Sequence, residues 1–260
     1  MYDDLCFMIV FNLNLDILVK NLQNLYEQIL RDAHSLYIGH NQMVCVLVPG
    51  SALQMKNRLN SKYFDRQKLA LYDRVTQLTL LASREAMAQS GLEITEELSE
   101  ATGVVLGTAA GGMNTWDDNF RSVYEEGKNR VHPFVVPKLM TNAAASHVSM
   151  AHNIKGPSLT VSTACASSNH AIGLAFQMVR GGMARAMLAG GADAMLTFGG
   201  IKAWEGLRVM SKTACRPFSA NRSGMVQGEG AGVFVLETYE GAKARGAEIL
   251  AELIGFAMTS

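Results

Sequence analysis

The sequence lacks the features by which several large classes of protein are recognised. It has only four cysteines in 260 residues, and they form no CxxC pair and have no nearby histidine to complete a zinc set. Neither a disulfide scaffold nor a metal site is therefore predicted. Lysine plus arginine and aspartate plus glutamate both total 23, so no net charge attracts nucleic acid or an anionic membrane. These absences favour a reduced, cytoplasmic protein.

No export signal or membrane anchor is predicted at the start of the chain. Asp3 and Asp4 stand where a secretory signal needs positive charge, and Asn12, Asn14 and Asp16 interrupt the first apolar run before it could span a membrane. The chain is 48% hydrophobic and 18% charged, which is enough apolar material for one large core or two smaller ones. We expect a globular protein.

Glycine is scarce in residues 1–60 but frequent from 103 to 235, where it occurs in pairs such as Gly111-Gly112 and Gly190-Gly191. Such pairs are typical of tight strand–helix junctions. Apolar runs alternate with stretches of helical spacing, which predicts an α/β layered fold. The predicted strands are 43–48, 104–107, 158–162, 186–191 and 232–237, and a further strand is predicted after Gly246. The predicted helices lie over 13–29, over 73–90, over about 138–152, after Cys165 and just before Gly246. Gly91 is expected to end the helix over 73–90.

Cys165 is the candidate nucleophile. The β-branched run before it breaks at Thr163 and Ala164, and small residues then lead into an apolar helix, so the cysteine is predicted at a strand-to-helix turn. The positive end of a helix stabilises a thiolate and makes the sulfur a better nucleophile. A cysteine among small residues is also typical of plain buried packing, and the residues alone leave both interpretations open.

Four separated motifs then carry a family resemblance. GVVLGTAAGG (103–112), TACASSNHAIG (163–173), LAGGADAM (188–195) and RPFSANRSGMVQGEGAGVFVLE (216–237) resemble the amino-terminal half of the β-ketoacyl synthases, the condensing enzymes of fatty-acid and polyketide synthesis. Residues 202–220 resemble the nodulation-type synthases in particular. The resemblance covers about 64–260 and implies a thiolase-like layered fold, amino-terminal half only, in a domain of residues 61–260. Residues 1–60 match nothing in the family and form an atypical segment.

The resemblance implies that Cys165 accepts an acyl group from an acyl carrier protein as a thioester, with its own backbone N–H in the oxyanion hole. The acyl group would then condense with a malonyl-thioester that loses carbon dioxide. In the family, two histidines and a lysine that assist this step lie in the carboxy-terminal half, beyond Ser260. None of the six histidines here is expected to replace them, and His147 and His170 are expected to have core or hydrogen-bonding roles.

Further site residues follow from the same resemblance. Ala110, Thr163 and Trp204 are implied to bind substrate, with Ala110 in the glycine-rich turn that borders the acyl pocket and Trp204 as an aromatic wall. A close backbone contact at Ala110 and plain core packing at Trp204 are the competing interpretations. The turn matches neither GxGxxG nor the P-loop spacing, so no nucleotide site is predicted.

The carrier protein is acidic, and the resemblance implies that Arg66, Lys68 and Arg208 contact it. A solvated charged face is the competing interpretation, and it is favoured for each of the three residues taken singly. No cofactor is expected beyond the phosphopantetheine of the carrier. Asp193 and Glu229 are expected to form hydrogen bonds near glycine turns rather than to act as a general acid and base.

Three functions remain open at this point. The first is the acyltransferase, working as a homodimer paired along the strand before Thr163 or with a separately encoded carboxy-terminal half. The second is a non-catalytic acyl-binding or dimerisation module, against which the retained Cys165 argues. The third is a cysteine acyl-thioester hydrolase. An isolated first half is also expected to expose an apolar face and to aggregate or seek a partner.

Overall fold

The computed structural model describes residues 10–13 and 63–258. The helix predicted over 13–29 lies outside this part except for Leu13, and the strand predicted over 43–48 lies outside it entirely, as do His34 and His40. The described elements are β1 (Val10–Leu13), α1 (Arg66–Leu71), α2 (Arg74–Ser90), α3 (Glu96–Ala101), β2 (Thr102–Gly107), α4 (Met113–Tyr124), α5 (Val135–Leu139), α6 (Ala143–Ala151), β3 (Ser158–Val161), α7 (Ser167–Arg180), β4 (Ala186–Ala194), α8 (Phe198–Gly206), β5 (Glu229–Glu237), α9 (Tyr239–Ala244) and β6 (Ala251–Gly255).

The main sheet has the strand order β3-β2-β4-β5. β2 is parallel to both β3 and β4, and β5 is antiparallel to β4. β1 and β6 form a separate antiparallel pair. Strands that alternate with helices and pair in parallel confirm the predicted α/β class.

Helices cover both faces of the sheet, and side chains that alternate along each strand divide the core in two. On one face, Val104, Leu106 and Leu188 pack with Leu80 of α2 and Val148 of α6. On the other face the cluster consists of Val105, Met187 and Ala189 from the strands with Ala171, Ile172 and Ala175 of α7. Since successive strand residues point to opposite faces, the continuous apolar runs of the sequence fill both layers.

Helix α2 matches its prediction closely. The side chain of Asp73 caps its first turn by accepting a hydrogen bond from the Val75 N–H, and Gly91 ends it in a left-handed conformation at φ 61°. The four strands predicted between 104 and 237, the helix after Cys165, and the short helix before Gly246 are likewise present. The order of strands and helices predicted for these segments is therefore confirmed.

The single helix predicted over about 138–152 is wrong, because two helices, α5 and α6, occupy this stretch. Met140 is extended at ψ 139° and breaks the helical path. The Leu139 carbonyl accepts a hydrogen bond of 3.2 Å from the N–H of Gly112. A Cβ added at Gly112 would lie 2.3 Å from the Lys138 carbonyl oxygen. The glycine turn thus packs against the backbone where α5 ends, a tertiary contact that helical periodicity does not report.

Candidate functional site

Cys165 lies in a sharp turn between β3 and α7. Its side chain is exposed, and α7 begins two residues later at Ser167. Ala164 has a left-handed backbone with φ 52°, a conformation that costs a residue with a Cβ on the order of 1 kcal/mol. The predicted strand-to-helix position of Cys165 is confirmed, and the sulfur faces solvent rather than sitting in buried packing.

Ser167 holds this turn in place. Its hydroxyl donates to the Ala164 carbonyl at 2.6 Å and accepts from the Thr163 N–H at 2.8 Å. The N–H groups of Ala166 and Ser167 donate to the carbonyls of Thr163 and Ala164, each at 3.1 Å. These bonds offset the strain at Ala164 and fix the backbone on both sides of Cys165. This role of Ser167 was not predicted from the sequence, where the residue counted only as one of the small residues around Cys165. A hydroxyl two residues after the cysteine is the feature of the sequence that could have indicated it.

Two glycines allow the strands of the sheet to pack closely against the start of α7. A Cβ added at Gly107, the last residue of β2, would lie 2.2 Å from the carbonyl carbon of Ser167. A Cβ added at Gly191 in β4 would lie 2.1 Å from the hydroxyl oxygen of Ser168. Only glycine permits such an approach. The first turn of α7, two residues after Cys165, therefore packs directly against the last residue of β2 and against Gly191 within β4.

The glycine-rich turn after β2 is held by an internal carboxylate. Asp193 Oδ1 accepts from the Thr108 hydroxyl at 2.9 Å and from the N–H groups of Ala109 and Ala110 at 3.0 and 3.2 Å. The Gly111 N–H in turn donates to the Thr108 oxygen at 3.1 Å. Successive N–H groups of this kind are able to bind an anion, but here Asp193 occupies them. The hydrogen-bonding role expected of Asp193 is therefore observed.

The second carboxylate does not join the first. Glu229 stands opposite Ala194 in the β4–β5 pair, whereas Asp193 stands opposite Gly230, so the two side chains leave opposite faces of the sheet. Glu229 accepts from the Arg74 Nε at 3.1 Å, and both side chains are largely buried, at 15% and 6% exposed. This separation is inconsistent with a paired general acid and base.

Four histidines lie in the part of the chain that the structure describes. His147 packs edge-on against Tyr72 with ring centres 4.7 Å apart, and burial lowers its pKa. His152 shares a 3.0 Å hydrogen bond with Ser83, and burial, assisted by the positive charge of Arg84, lowers its pKa as well. Both belong to the α2–α6 layer, on the other side of the sheet from α7.

The remaining two described histidines, His132 and His170, each contact a phenylalanine. His170 lies on α7 with its ring edge-on to Phe256, the ring centres 6.2 Å apart. His132 is exposed, and its Nδ1 accepts from the Phe134 N–H at 3.2 Å. That none of the described histidines serves as the catalytic base stays a prediction.

The predicted substrate-binding residues have different locations. Thr163 is exposed and forms part of the cysteine turn, and Ala110 is half-buried in the turn held by Asp193. Trp204 is half-buried on α8, a helix that contacts α4. The structure thus places Thr163 beside Cys165 and Ala110 in the neighbouring loop, and the binding role of all three stays a prediction.

The predicted carrier-binding residues all lie on the surface. Arg66 and Lys68 are exposed on α1, and the Lys68 ammonium lies 3.4 Å from the Asp65 carboxylate. Arg208 is exposed just after α8 with a left-handed backbone at φ 57°. Across residues 10–13 and 63–258, no group of three metal-ligating side chains is found, and no helix is long and apolar enough to cross a membrane.

Comparison with known proteins gives a consistent set of matches. Residues 47–242 match the family model described as the N-terminal domain of beta-ketoacyl synthases. Over 194 residues, 75% of the chain, it is 46% identical to Nodulation protein E of Rhizobium leguminosarum bv. trifolii, covering 48% of that protein. Over 211 residues, 79% of the chain, it is 39% identical to 3-oxoacyl-[acyl-carrier-protein] synthase 2 of Staphylococcus aureus, covering 52% of it. The chain therefore spans about half the length of these relatives.

Solved structures show the same similarity. A beta-ketoacyl synthase from Burkholderia phymatum STM815 is 34% identical with a TM-score of 0.63, over 72% of this chain and 47% of that one. A type II polyketide ketosynthase, solved in complex with its acyl-carrier protein and bound to a hexaketide, is 29% identical with a TM-score of 0.62, over 69% and 48%.

Proposed function

Because this chain belongs to the β-ketoacyl synthase family and has the thiolase-like fold of the ketosynthases in its amino-terminal half, we propose that it is an acyltransferase in which Cys165 takes an acyl group from an acyl carrier protein. The observation that carries the proposal is the exposed cysteine at the strained turn before α7. Strained turns of this kind cluster at reactive groups, where the surrounding bonds maintain them. The proposal concerns a chain that spans about half the length of its relatives.

The acylation step needs few parts. The Cys165 sulfur attacks the thioester carbonyl of the acylated carrier, a new carbon–sulfur bond forms, and the bond to the phosphopantetheine sulfur breaks. The proton of the cysteine leaves with the departing thiol, so the step is balanced. The backbone N–H of Cys165 donates to the oxygen that becomes negative during the attack. No cofactor takes part beyond the phosphopantetheine arm of the carrier.

The acyl group would next condense with a malonyl-thioester that loses carbon dioxide, in fatty-acid or polyketide-like synthesis. The histidines expected to assist that step belong to the carboxy-terminal half of the family, and the described histidines have other contacts. Acylation and condensation are therefore separate predictions for this chain, and acylation is the one that its own residues support.

Partners are proposed on the same basis. Arg66, Lys68 and Arg208 are exposed cations suited to an acidic carrier protein. Within the described residues, β3 pairs with β2 alone and forms an edge of the sheet. We therefore propose a homodimer joined along β3 or assembly with a separately encoded carboxy-terminal half, in the cytoplasm. The acyl chain would lie among Ala110, Thr163 and Trp204.

The test is intact mass spectrometry after incubation with an acyl carrier protein that carries a thioester-linked acyl group. We expect one acyl adduct on the unaltered protein and none on Cys165→Ala. Cys215, half-buried in another part of the described chain, provides the matched control, because Cys215→Ala should acquire the same adduct as the unaltered protein. No adduct in a sample that melts cooperatively contradicts the proposal and favours a non-catalytic acyl-binding or dimerisation module.

The hydrolase alternative makes a different prediction in the same assay. A hydrolase would release free acid continuously from the acyl carrier protein, and the adduct on Cys165 would be transient. Release of free acid that depends on Cys165 but consumes no malonyl-thioester would support hydrolysis. A stable adduct that is lost only on addition of malonyl-thioester, with gain of two carbons in the product, would support condensation.

A further inference from the structure

The peptide unit that joins Ala164 to Cys165 is held by a single residue, Ser167. The Ala164 carbonyl accepts two hydrogen bonds from this serine, one from its hydroxyl at 2.6 Å and one from its N–H at 3.1 Å. The same hydroxyl accepts from the Thr163 N–H at 2.8 Å. Ser167 is only 2% exposed, so these bonds are shielded from water. The Ala164 carbonyl therefore points toward the start of α7.

The direction of this carbonyl also sets the direction of the Cys165 N–H. A trans peptide unit is planar, so its C=O and N–H groups point in opposite directions, and the described part of the chain contains no cis peptide bond. Because the Ala164 carbonyl points toward Ser167, the Cys165 N–H points away from it. Among the described residues, no group accepts a hydrogen bond from this N–H. A donor that is both oriented and free is what a developing negative oxygen requires.

We propose that Ser167 is a positioning residue for acylation, whose hold on the Ala164 carbonyl keeps the Cys165 N–H directed at the oxygen that becomes negative during the attack. The inference rests on the proposed function, because it assigns a residue to the acylation step. Ala164 has φ 52°, a conformation that alanine leaves unless the surrounding bonds maintain it. Rotation of this peptide plane would turn the N–H aside and leave the sulfur exposed.

The test compares two reactions of the same sulfur in Ser167→Ala. Acyl transfer from an acyl carrier thioester develops a negative oxygen. With iodoacetamide the sulfur displaces iodide, the thiol proton passes to the buffer, and no oxygen becomes negative. We expect the single-turnover rate of acylation at saturating carrier to fall about tenfold or more, since complete loss of one oxyanion donor costs about 10²–10³-fold. The rate of alkylation should change by less than about threefold, because it depends on the thiolate and its accessibility.

Ser168→Ala is the matched control. It removes a hydroxyl from the next residue of the same helix, whereas both side-chain hydrogen bonds that hold the cysteine turn come from Ser167. Acylation and alkylation should proceed in this control at the rates of the unaltered protein. In Ser167→Ala the carrier concentration that gives half the maximal acylation rate should also be unchanged, because a buried serine does not contact the carrier.

A second comparison removes the strain at Ala164. Glycine adopts a left-handed backbone readily, so Ala164→Gly keeps the turn accessible with or without the Ser167 hydroxyl. The double variant Ala164→Gly with Ser167→Ala should be acylated more slowly than Ala164→Gly alone but alkylated at the same rate. This comparison applies even if Ser167→Ala by itself fails to fold.

The outcomes separate the inference from the proposed function. Acylation and alkylation rates that fall by the same factor would show a purely structural role for Ser167, as would a lower melting temperature with both rates intact. Either result overturns the inference while the proposed function stands. If the unaltered protein acquires no acyl adduct on Cys165, the proposed function fails and the inference fails with it.

Discussion

A single methyl group added at Gly107 is expected to dislodge the start of α7. In Gly107→Ala the new Cβ would lie 2.2 Å from the Ser167 carbonyl carbon, 2.4 Å from its oxygen and 2.4 Å from the Ser168 nitrogen. All three neighbours are backbone atoms in the first turn of the helix, so no side chain can rotate away to relieve the overlap. Either β2 or the amino-terminal end of α7 has to move.

The size of the effect follows from the cost of overpacking. Inserting a methyl group into a close-packed site costs about 1–3 kcal/mol, and rigid backbone neighbours place Gly107→Ala at the upper end. For a chain of this size each kcal/mol lowers the melting temperature by roughly 2–4 °C, so a fall of about 6–12 °C is expected. Cys165 precedes α7 by two residues, so a shift of the helix start also moves the cysteine. The rate at which a small alkylating reagent modifies Cys165 should therefore change as well.

The assay combines a thermal melt with the alkylation rate of Cys165, measured by mass spectrometry on the digested protein. Gly206→Ala is the control, since a Cβ there meets nothing within 4 Å and the residue lies in α8. The control should melt at the temperature of the unaltered protein or up to about 4 °C above it, because alanine at an unstrained helical position is neutral or stabilises by up to about 1 kcal/mol. A Gly107→Ala protein that matches the control in both readouts would refute the packing argument.

Three further outcomes are expected around α2. Asp73→Ala should cost about 3 kcal/mol in a urea titration, because the buried carboxylate caps α2 and also accepts from the N–H and hydroxyl of Thr115. Arg74→Met should cost about 3–5 kcal/mol by leaving the Glu229 carboxylate buried and unpaired, and the double change with Glu229→Met should recover much of that loss in a double-mutant cycle. Burial lowers the pKa of His147 below 6.5, so the unfolded chain binds its proton first, and the melting temperature should fall as the pH drops below about 6.5 and do so less steeply in His147→Phe.

Strand and helix identity could be predicted because it depends on neighbours in the sequence. The run before Cys165 is β-branched and is followed by small residues, and this local contrast was enough to place the cysteine at the turn. The end of α2 was equally local, since Gly91 adopts the left-handed conformation that glycine prefers. The break between α5 and α6 was not predicted from the local sequence. It coincides with the hydrogen bond from the Gly112 N–H to the Leu139 carbonyl, between residues that only the fold brings together.

The same limit applied to the site. The role of Asp193 was predicted in kind, as a hydrogen-bonding residue beside glycines, but its partners are 83 to 85 residues away. Sequence also could not tell whether Asp193 and Glu229 meet, because that depends on the pairing register of β4 with β5. A shift of that register by one residue would have placed both carboxylates on one face.

Register on β4 therefore determines what a substitution on this strand affects. Leu188 and Ala192 face the layer of α2, which holds the Arg74–Glu229 pair, while Gly191 and Asp193 face α7 and the cysteine turn. A change on the first face weakens the core between the sheet and α2. The sheet separates this part of the core from Cys165. A change on the second face alters the strand positions against which the first turn of α7 packs, or the turn that Asp193 holds. Met187 and Ala189 on this second face also belong to the core. A substitution at an even position is therefore expected to cost stability alone, whereas one at an odd position is expected to cost stability and also to disturb the turn that carries Cys165.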